Sequence, residues 1–282
     1  MNVGVVLSGG GIRGVAHLGV LKALSEAGIK FCKISGTSAG AIVGSLFAEG
    51  HDPYHILQVI LKTKLLRFMR PAIGAGGLLS LEHTTSLFRE YLPHNSFEGL
   101  KIPVTITTTN FSTGKLAYFS SGELIPVIQA SSAIPGVFKP MIINDEMYVD
   151  GGVLNNFPVE PLLDNCDFII GSSCNHVPFV KRITTFRRMI QRTALLAVNA
   201  DMKEKRAFCD VLIEPESLGA THIFEIGKAE ELYWLAYDTT LQALKTNEKL
   251  QKLVNIFSDQ EPEVIENKKT LLDLRANPSN VS

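Results

Sequence analysis

The segment from Gly36 to Gly40 reads Gly-Thr-Ser-Ala-Gly, a G-x-S-x-G pattern that can present Ser38 as a nucleophile. A short apolar strand is predicted over 31–34, and apolar residues at helical spacing follow the motif. At such a strand-to-helix turn the serine hydroxyl projects from the end of the sheet, and Gly36 and Gly40 avoid collisions between a Cβ and nearby backbone. The helix N-terminus also favours an oxyanion. The alternative interpretation is that Ser38 only caps the helix.

A serine hydroxyl needs a base that takes its proton. Among the histidines after Ser38, His176 follows a predicted strand over 167–172, where a catalytic loop would lie, but no motif surrounds it. Asp150 is the stronger candidate, because it ends a predicted strand and precedes two glycines that allow a sharp turn. The Asp-Gly pair is equally typical of an ordinary turn. Taken by themselves, these residues leave the identity of the base open.

The glycine-rich segment 9–14 follows the first predicted strand, 3–7, and fits G-x-G-x-x-G. Such a loop can bind a dinucleotide pyrophosphate at a helix N-terminus, so a nucleotide-binding module is the main rival interpretation. That site also needs an acidic residue about twenty positions further on, at the end of the second strand. The second strand here runs into Ile-Ser-Gly at 34–36. The same loop can instead offer unpaired backbone N–H groups to an oxyanion, with Arg13 adding positive charge.

Strands and helices alternate around these motifs. The first forty residues read strand, glycine loop, helix, strand, nucleophile turn and helix. This alternation predicts an α/β fold with a mostly parallel central sheet, helices on both faces and function at the carboxyl ends of the strands. Later patterns predict long helices over 186–206 and 228–254. No linker or repeat interrupts the chain, so we predict one domain over 1–257 and a polar tail over 258–282.

Composition narrows the functional class. The formal net charge is −1, with 27 Lys and Arg against 28 Asp and Glu, so nothing indicates attraction to nucleic acid. The four cysteines lack metal-ligand spacing, and we expect reduced thiols, no metal and no cofactor. The N-terminus lacks the pattern of a secretion signal, and no apolar run reaches the ~18 residues of a spanning helix. We therefore expect a cytoplasmic protein. These features carry no information on oligomeric state.

Two stretches suit a membrane surface. The predicted loop over 62–77 mixes basic and large apolar residues, and the later helix has a basic first half that includes Arg187, Arg188 and Arg192. This composition is typical of a segment at the interface of an anionic bilayer, where apolar stems are buried and charges stay hydrated. The alternative is a solvated loop whose apolar residues pack on the domain.

Four blocks together resemble one family. They are Gly-Gly-Gly-Ile-Arg-Gly at 9–14, Gly-Thr-Ser-Ala-Gly at 36–40, Ala-Ser-Ser-Ala-Ile-Pro-Gly-Val-Phe at 130–138 and Asp-Gly-Gly at 150–152. Their order is that of the patatin-like phospholipases, and jointly they are far more specific than any one alone. The resemblance weakens beyond about residue 215. One departure is Ser8, which stands where some members carry Asp.

The resemblance implies a catalytic Ser-Asp dyad without histidine, in which Ser38 is the nucleophile and Asp150 the base. It also implies an oxyanion site formed by the glycine loop and the start of the following helix. The residues of that site are Gly9, Gly10, Gly11, Arg13, Gly14 and Ala39. His17 resembles a recurrent family position, and we assign it to helix packing.

The implied reaction is hydrolysis of a phospholipid, a lysophospholipid or another fatty-acyl ester through an acyl-serine intermediate. An acyltransferase would use the same intermediate but pass the acyl group to an alcohol. A nucleotide-binding or lipid-binding protein without turnover is the alternative from another class.

Overall fold

The structure is a computed structural model that describes residues 1–63, 70–71, 77–220 and 225–259. Most of the predicted loop over 62–77, and the predicted tail from residue 260 onward, lie outside these residues. The strands are β1 (Val3–Leu7), β2 (Lys33–Thr37), β3 (Arg70–Pro71), β4 (Leu79–Ser80), β5 (Val104–Asn110), β6 (Lys115–Phe119), β7 (Met141–Ile143), β8 (Glu146–Asp150), β9 (Phe168–Ser172) and β10 (Val211–Ile213).

The central sheet has the order β10-β9-β1-β2-β5-β8-β7, with β6 also paired to β5. Strands β10, β9, β1, β2 and β5 are mutually parallel, whereas β6, β7 and β8 join by antiparallel pairs. Strands β3 and β4 form a separate antiparallel ladder. The mostly parallel α/β sheet is confirmed, and the antiparallel strands extend it at one edge.

The helices are α1 (Ala16–Glu26), α2 (Ala39–Glu49), α3 (Pro53–Lys62), α4 (Thr85–Tyr91), α5 (Leu124–Ser131), α6 (Phe186–Val198), α7 (Met202–Arg206), α8 (Ala229–Thr246) and α9 (Glu248–Ser258). Short 3-10 turns cover 11–15, 82–84, 151–153, 160–162, 216–220 and 226–228. No helix in the described part of the chain has the length and apolar character needed to cross a bilayer.

Side chains of β1 alternate between two hydrophobic clusters, as expected for a strand buried on both faces. Val3, Val5 and Leu7 join the larger cluster with α1, α2, α3 and α8. Val6 joins a smaller cluster with Phe157 and Met202. Long helices therefore cover one face of the sheet, while a loop with a 3-10 turn and the short helix α7 cover the other.

Three predicted boundaries are wrong. The second strand begins at Lys33 and continues through Thr37, because Ser35 and Gly36 pair with β1 and β5 inside the sheet. The helix predicted over 186–206 is broken after Val198. The helix predicted over 228–254 is broken at Asn247, whose extended backbone and side-chain carbonyl cap α9. In both long segments the apolar spacing continues across the break, so periodicity does not reveal it.

Candidate active site

Ser38 occupies a strained corner between β2 and α2. Its φ of 53° and ψ of −119° lie outside the regions usual for a residue with a Cβ. Its hydroxyl makes no capping hydrogen bond to α2, although Ser38 stands at the N-cap position. Its amide donates to Ser131 Oγ at 2.8 Å, and that hydroxyl donates to Thr107 O at 2.7 Å. The interpretation of Ser38 as a simple helix cap is therefore wrong.

The pairing of the strands brings Asp150 to this corner. Strand β6 occupies one edge of β5, so β2 and β8 share the other edge. Thr37, the last residue of β2, pairs with Thr107, and Asp150, the last residue of β8, pairs with the adjacent Thr108. The two strands run in opposite directions, so their carboxyl ends meet head to head. Ser38 comes immediately after the carboxyl end of β2, and Asp150 is the carboxyl end of β8.

The Ser38 hydroxyl donates a hydrogen bond to Asp150 Oδ2 at 2.7 Å. The other carboxylate oxygen accepts the Gly152 amide at 2.8 Å, which leaves Oδ2 directed at the serine. Both side chains belong to residues that are only 6% exposed. Burial raises the pKa of Asp150 to about 6, and the hydrogen bonds from Ser38 and Gly152 oppose this shift. A buried carboxylate with a pKa near neutrality is well matched to accept a proton from a hydroxyl.

The glycine loop lies against the serine corner. A Cβ on Gly9 would come within 3.2 Å of Ser38 Cβ, and one on Gly14 within 2.4 Å of Ala39 Cβ. These contacts require glycine, and they place the loop beside the start of α2. The Gly9 amide donates to Asn156 O at 3.1 Å, so it is not a free oxyanion donor.

Three other amides in this region remain available. Within the described residues, the Gly10 and Gly11 amides have no hydrogen-bond acceptor. Ala39 is the first residue of α2, so its amide has no acceptor within the helix. The arrangement therefore combines a hydroxyl, a carboxylate and unpaired N–H groups beside them. These are the components that acyl transfer through serine requires.

Arg13 belongs to this loop, and its side chain is buried. Its guanidinium donates to Asn175 Oδ1 at 2.7 Å and to Gly10 O at 3.4 Å. Burial lowers the pKa of Arg13, and among the described residues no carboxylate forms an ion pair with it. Its charge is therefore stabilised by the carbonyl oxygens of the Asn175 side chain and of Gly10.

Asn175 follows β9 and fastens the loop from the other side. Its amide nitrogen donates to Gly9 O and, at 3.3 Å, to Ser8 Oγ, while its oxygen accepts from Arg13. The Asn156 backbone holds Gly9, and the Asn156 side chain lies against both Gly9 and Gly152. Sequence reasoning missed both asparagines and assigned no role to Ser131. The one feature of the sequence that indicates a role for the two asparagines is their position, because each follows a segment that ends at the carboxyl edge of the sheet.

His17 makes two side-chain hydrogen bonds in addition to packing within α1. Its Nε2 lies 2.8 Å from Ser8 O and its Nδ1 lies 2.7 Å from Ser172 Oγ. A carbonyl can only accept, so Nε2 carries the proton and Nδ1 accepts from the Ser172 hydroxyl. Burial lowers the pKa of His17 to about 4, which keeps the ring neutral. This residue ties the end of β1 to the end of β9.

His176 lies apart from the serine. Its Nδ1 is 3.4 Å from Glu214 Oε2, and it lines an open groove of about 690 Å³ with Pro178, Phe179 and Leu235. The structure thus brings Ser38 together with Asp150 and the glycine loop, and it does not bring His176 to the same place.

Comparison with known proteins bears on the family of this chain. The family described as "Patatin-like phospholipase" matches residues 5–163, which is more than half of the chain. An "Uncharacterized NTE family protein" of Mycobacterium tuberculosis is 37% identical over 176 residues, which cover 61% of this chain and 49% of that protein. The chain thus spans about half the length of the first of the curated relatives it matches.

Two further similarities are more distant. A protein of Coccidioides immitis named "Lysophospholipase NTE1" is 33% identical over 165 residues, covering 56% of this chain and 10% of that protein. Among solved structures, VipD from Legionella pneumophila matches with a TM-score of 0.52 and 18% identity, over 87% of this chain and 67% of that one. The structural match concerns the fold alone.

Proposed function

The chain belongs to the patatin-like phospholipase family, and from that premise we propose that it hydrolyses fatty-acyl esters of phospholipids or lysophospholipids through Ser38 and Asp150. The observation that carries the proposal is the 2.7 Å hydrogen bond from the Ser38 hydroxyl to Asp150 Oδ2 at a strained strand-to-helix corner. This backbone conformation costs about 1–3 kcal/mol of stability, which supports a chemical role for the serine.

In the first half of the reaction, Asp150 takes the Ser38 proton while Oγ attacks the ester carbonyl carbon. The carbonyl oxygen gains the negative charge, and the amides of Gly10, Gly11 and Ala39 are the donors that bind it. The tetrahedral intermediate then collapses. The alcohol part of the lipid leaves with the proton from Asp150, and the fatty-acyl group remains on Ser38.

In the second half, Asp150 takes a proton from water, and the resulting hydroxide attacks the acyl carbon. The fatty acid leaves, and the proton returns from Asp150 to Ser38. One carboxylate therefore serves both halves. The hydrogen bond from Gly152 to Asp150 Oδ1 keeps the same oxygen, Oδ2, directed at the serine throughout.

The glycine loop supports this chemistry better than nucleotide binding. It packs on Ser38 and Ala39, and its Gly9 and Gly10 carbonyls are fixed by Asn175 and Arg13. A loop held this way presents its remaining amides to a group bound at the serine. The residue that closes β2 is Thr37, whereas a dinucleotide site needs an acidic residue there.

A lysophospholipid is the first substrate to test, because a relative from Coccidioides immitis bears the name lysophospholipase. The proposal is tested with a serine-directed fluorophosphonate probe followed by peptide mass analysis. We expect rapid labelling of Ser38 in the wild type and a much slower reaction in Asp150→Asn. Rapid labelling of another residue, or none under conditions where the protein is folded, would count against the dyad. Free fatty acid released with and without an added alcohol distinguishes hydrolysis from acyl transfer.

A further inference from the structure

Helix α6 is a 13-residue helix that packs poorly on the rest of the molecule. Among its side chains that the structure describes, none is buried. Most isolated helices of this length are marginal in water, because helical stability in proteins comes mainly from packing an amphipathic face. Of the described side chains only those of Arg192, Leu195 and Val198 are half-buried, so most of the helix surface is open to a further partner.

Four large apolar side chains of α6 point outward. They recur at i, i+3, i+4 and i+10, the spacing of one helix face. The exposed fractions are 83% for Phe186, 49% for Met189, 53% for Ile190 and 49% for Leu196. A surface helix ordinarily shows the opposite arrangement, with the polar face in water. Exposed apolar side chains grouped in this way mark an interaction surface.

The loop before α6 extends the same surface. Phe179 is 92% exposed and Val180 is 43% exposed. The adjacent Lys181 and Arg182 are exposed as well. Large apolar residues and cations therefore adjoin over one continuous stretch of chain, and Phe179 also lines the open groove of about 690 Å³ beside His176.

The charge of this stretch has one sign. From Phe168 to Ala200 the sequence contains five basic residues and no Asp or Glu. Arg188 is exposed and Arg192 half-buried on α6 itself. A surface that pairs apolar side chains with positive charge is complementary to the surface of an anionic bilayer, where the cations meet head groups and the apolar residues reach the acyl boundary.

We propose that α6 and the loop over 177–185 bind the surface of an anionic phospholipid bilayer. The proposal deepens the proposed function, on which it rests for its choice of a lipid partner. Asn175, which fastens the glycine loop beside Ser38, lies only two positions before this surface in the chain. Attachment through α6 would therefore hold the bilayer near the sheet edge that carries the serine.

The test is flotation with vesicles, carried out in a Ser38→Ala parent so that no lipid is consumed. We expect the parent to float with vesicles of phosphatidylglycerol and phosphatidylcholine at low salt, and not with phosphatidylcholine alone. Met189→Ser with Ile190→Ser should lower the bound fraction at least tenfold, as should Arg188→Glu with Arg192→Glu.

The matched control changes two apolar residues of similar exposure elsewhere, Phe111 at 53% and Ile142 at 56%, to serine. This control should float like the parent. Unchanged flotation of the α6 variants would overturn the proposal. It would also be overturned if the parent were a dimer that Met189→Ser with Ile190→Ser converts to monomers, because the face would then bind a second copy.

Hydrolysis of a soluble short-chain ester, measured with Ser38 present, separates this proposal from the proposed function. No turnover of that ester by the wild type would contradict the proposed function and leave the flotation result standing. Loss of that turnover in the α6 variants, equal to their loss on vesicles, would show that the helix serves the fold and would overturn the membrane proposal.

Discussion

Ser38 and Asp150 are 112 positions apart in the chain, and the hydroxyl of one donates to the carboxylate of the other at 2.7 Å. The contact follows from two strands that meet head to head on one edge of β5, at Thr107 and Thr108. Asp150 is held by backbone pairing with Thr108, and Ser38 directly follows Thr37, which pairs with Thr107. Sites built on strands in this way keep catalytic geometry within narrow limits.

Replacing Asp150 and His176 in separate variants should show which of the two residues is the base. We expect Asp150→Asn to lower ester hydrolysis by roughly 10³-fold or more, because the neutral amide cannot take the serine proton. His176→Ala should retain nearly full activity, since His176 contacts Glu214 and not Ser38. Circular dichroism serves as the control for folding. A folded but inactive His176→Ala protein would indicate a histidine-dependent triad instead.

The rate should fall in acid. Asp150 must be ionised to accept the proton, and burial raises its pKa to about 6. Below that pH the carboxyl becomes protonated, so kcat/KM should decrease about tenfold for each further unit of pH. The measurement is a pH profile with a soluble ester. A flat profile down to pH 4.5 with the protein still folded would show that no group with this pKa is required.

Asp150 should also make the protein less stable above its pKa. Its pKa is about 6 in the folded state against 3.8 as the ordinary value, so the folded protein binds the proton more tightly between these pH values. Stability attributable to this group is therefore lost as the pH rises from about 4 to about 6, by up to ~3 kcal/mol.

Urea denaturation of wild type and Asp150→Asn checks this effect. We expect the variant to gain stability relative to the wild type as the pH rises through this range, with a constant difference above it. The exposed residue Asp164, changed to asparagine, is the matched control. A difference between wild type and Asp150→Asn that does not change with pH would contradict the raised pKa.

The requirement for glycine at Gly40, in the turn around Ser38, can be tested by adding a single methyl group. A Cβ on Gly40 would lie 2.3 Å from Leu7 O, so the backbone of β1 or α2 must shift. We expect Gly40→Ala to lower the free energy of unfolding by ~1 to 3 kcal/mol and to impair catalysis. Gly227 has no neighbour within 4 Å of an added Cβ, so Gly227→Ala should be neutral or slightly stabilising. Equal stability of both variants would argue against close packing around Gly40.

Local pattern was sufficient to predict the strand-turn-helix around Ser38 and the alternation that produces the α/β sheet. Glycines and short apolar runs mark these features directly. Local pattern does not predict the pairing of Ser38 with Asp150, because an Asp-Gly turn occurs in many proteins. The resemblance of four ordered blocks predicts Asp150 as the base, and the structure places its carboxylate on the Ser38 hydroxyl.

Other parts of the site depend on contacts that no pattern encodes. Ser131, Asn156 and Asn175 act through hydrogen bonds to backbone groups that are distant in sequence. Polar residues of this kind have no periodicity, so they resemble ordinary loop residues. The outward apolar face of α6 was equally hidden, because helical spacing identifies an apolar face without indicating whether the protein covers it.

The central claim is tested most directly by the rate of fatty-acid release from a lysophospholipid by wild type and Ser38→Ala. The turn hydroxyl contributes little to the core, so the variant should fold normally and lose at least roughly 10³-fold in kcat/KM. A wild type that releases fatty acid and a folded Ser38→Ala protein that does not would support Ser38 as the nucleophile. Substantial turnover of the same substrate by Ser38→Ala would contradict it.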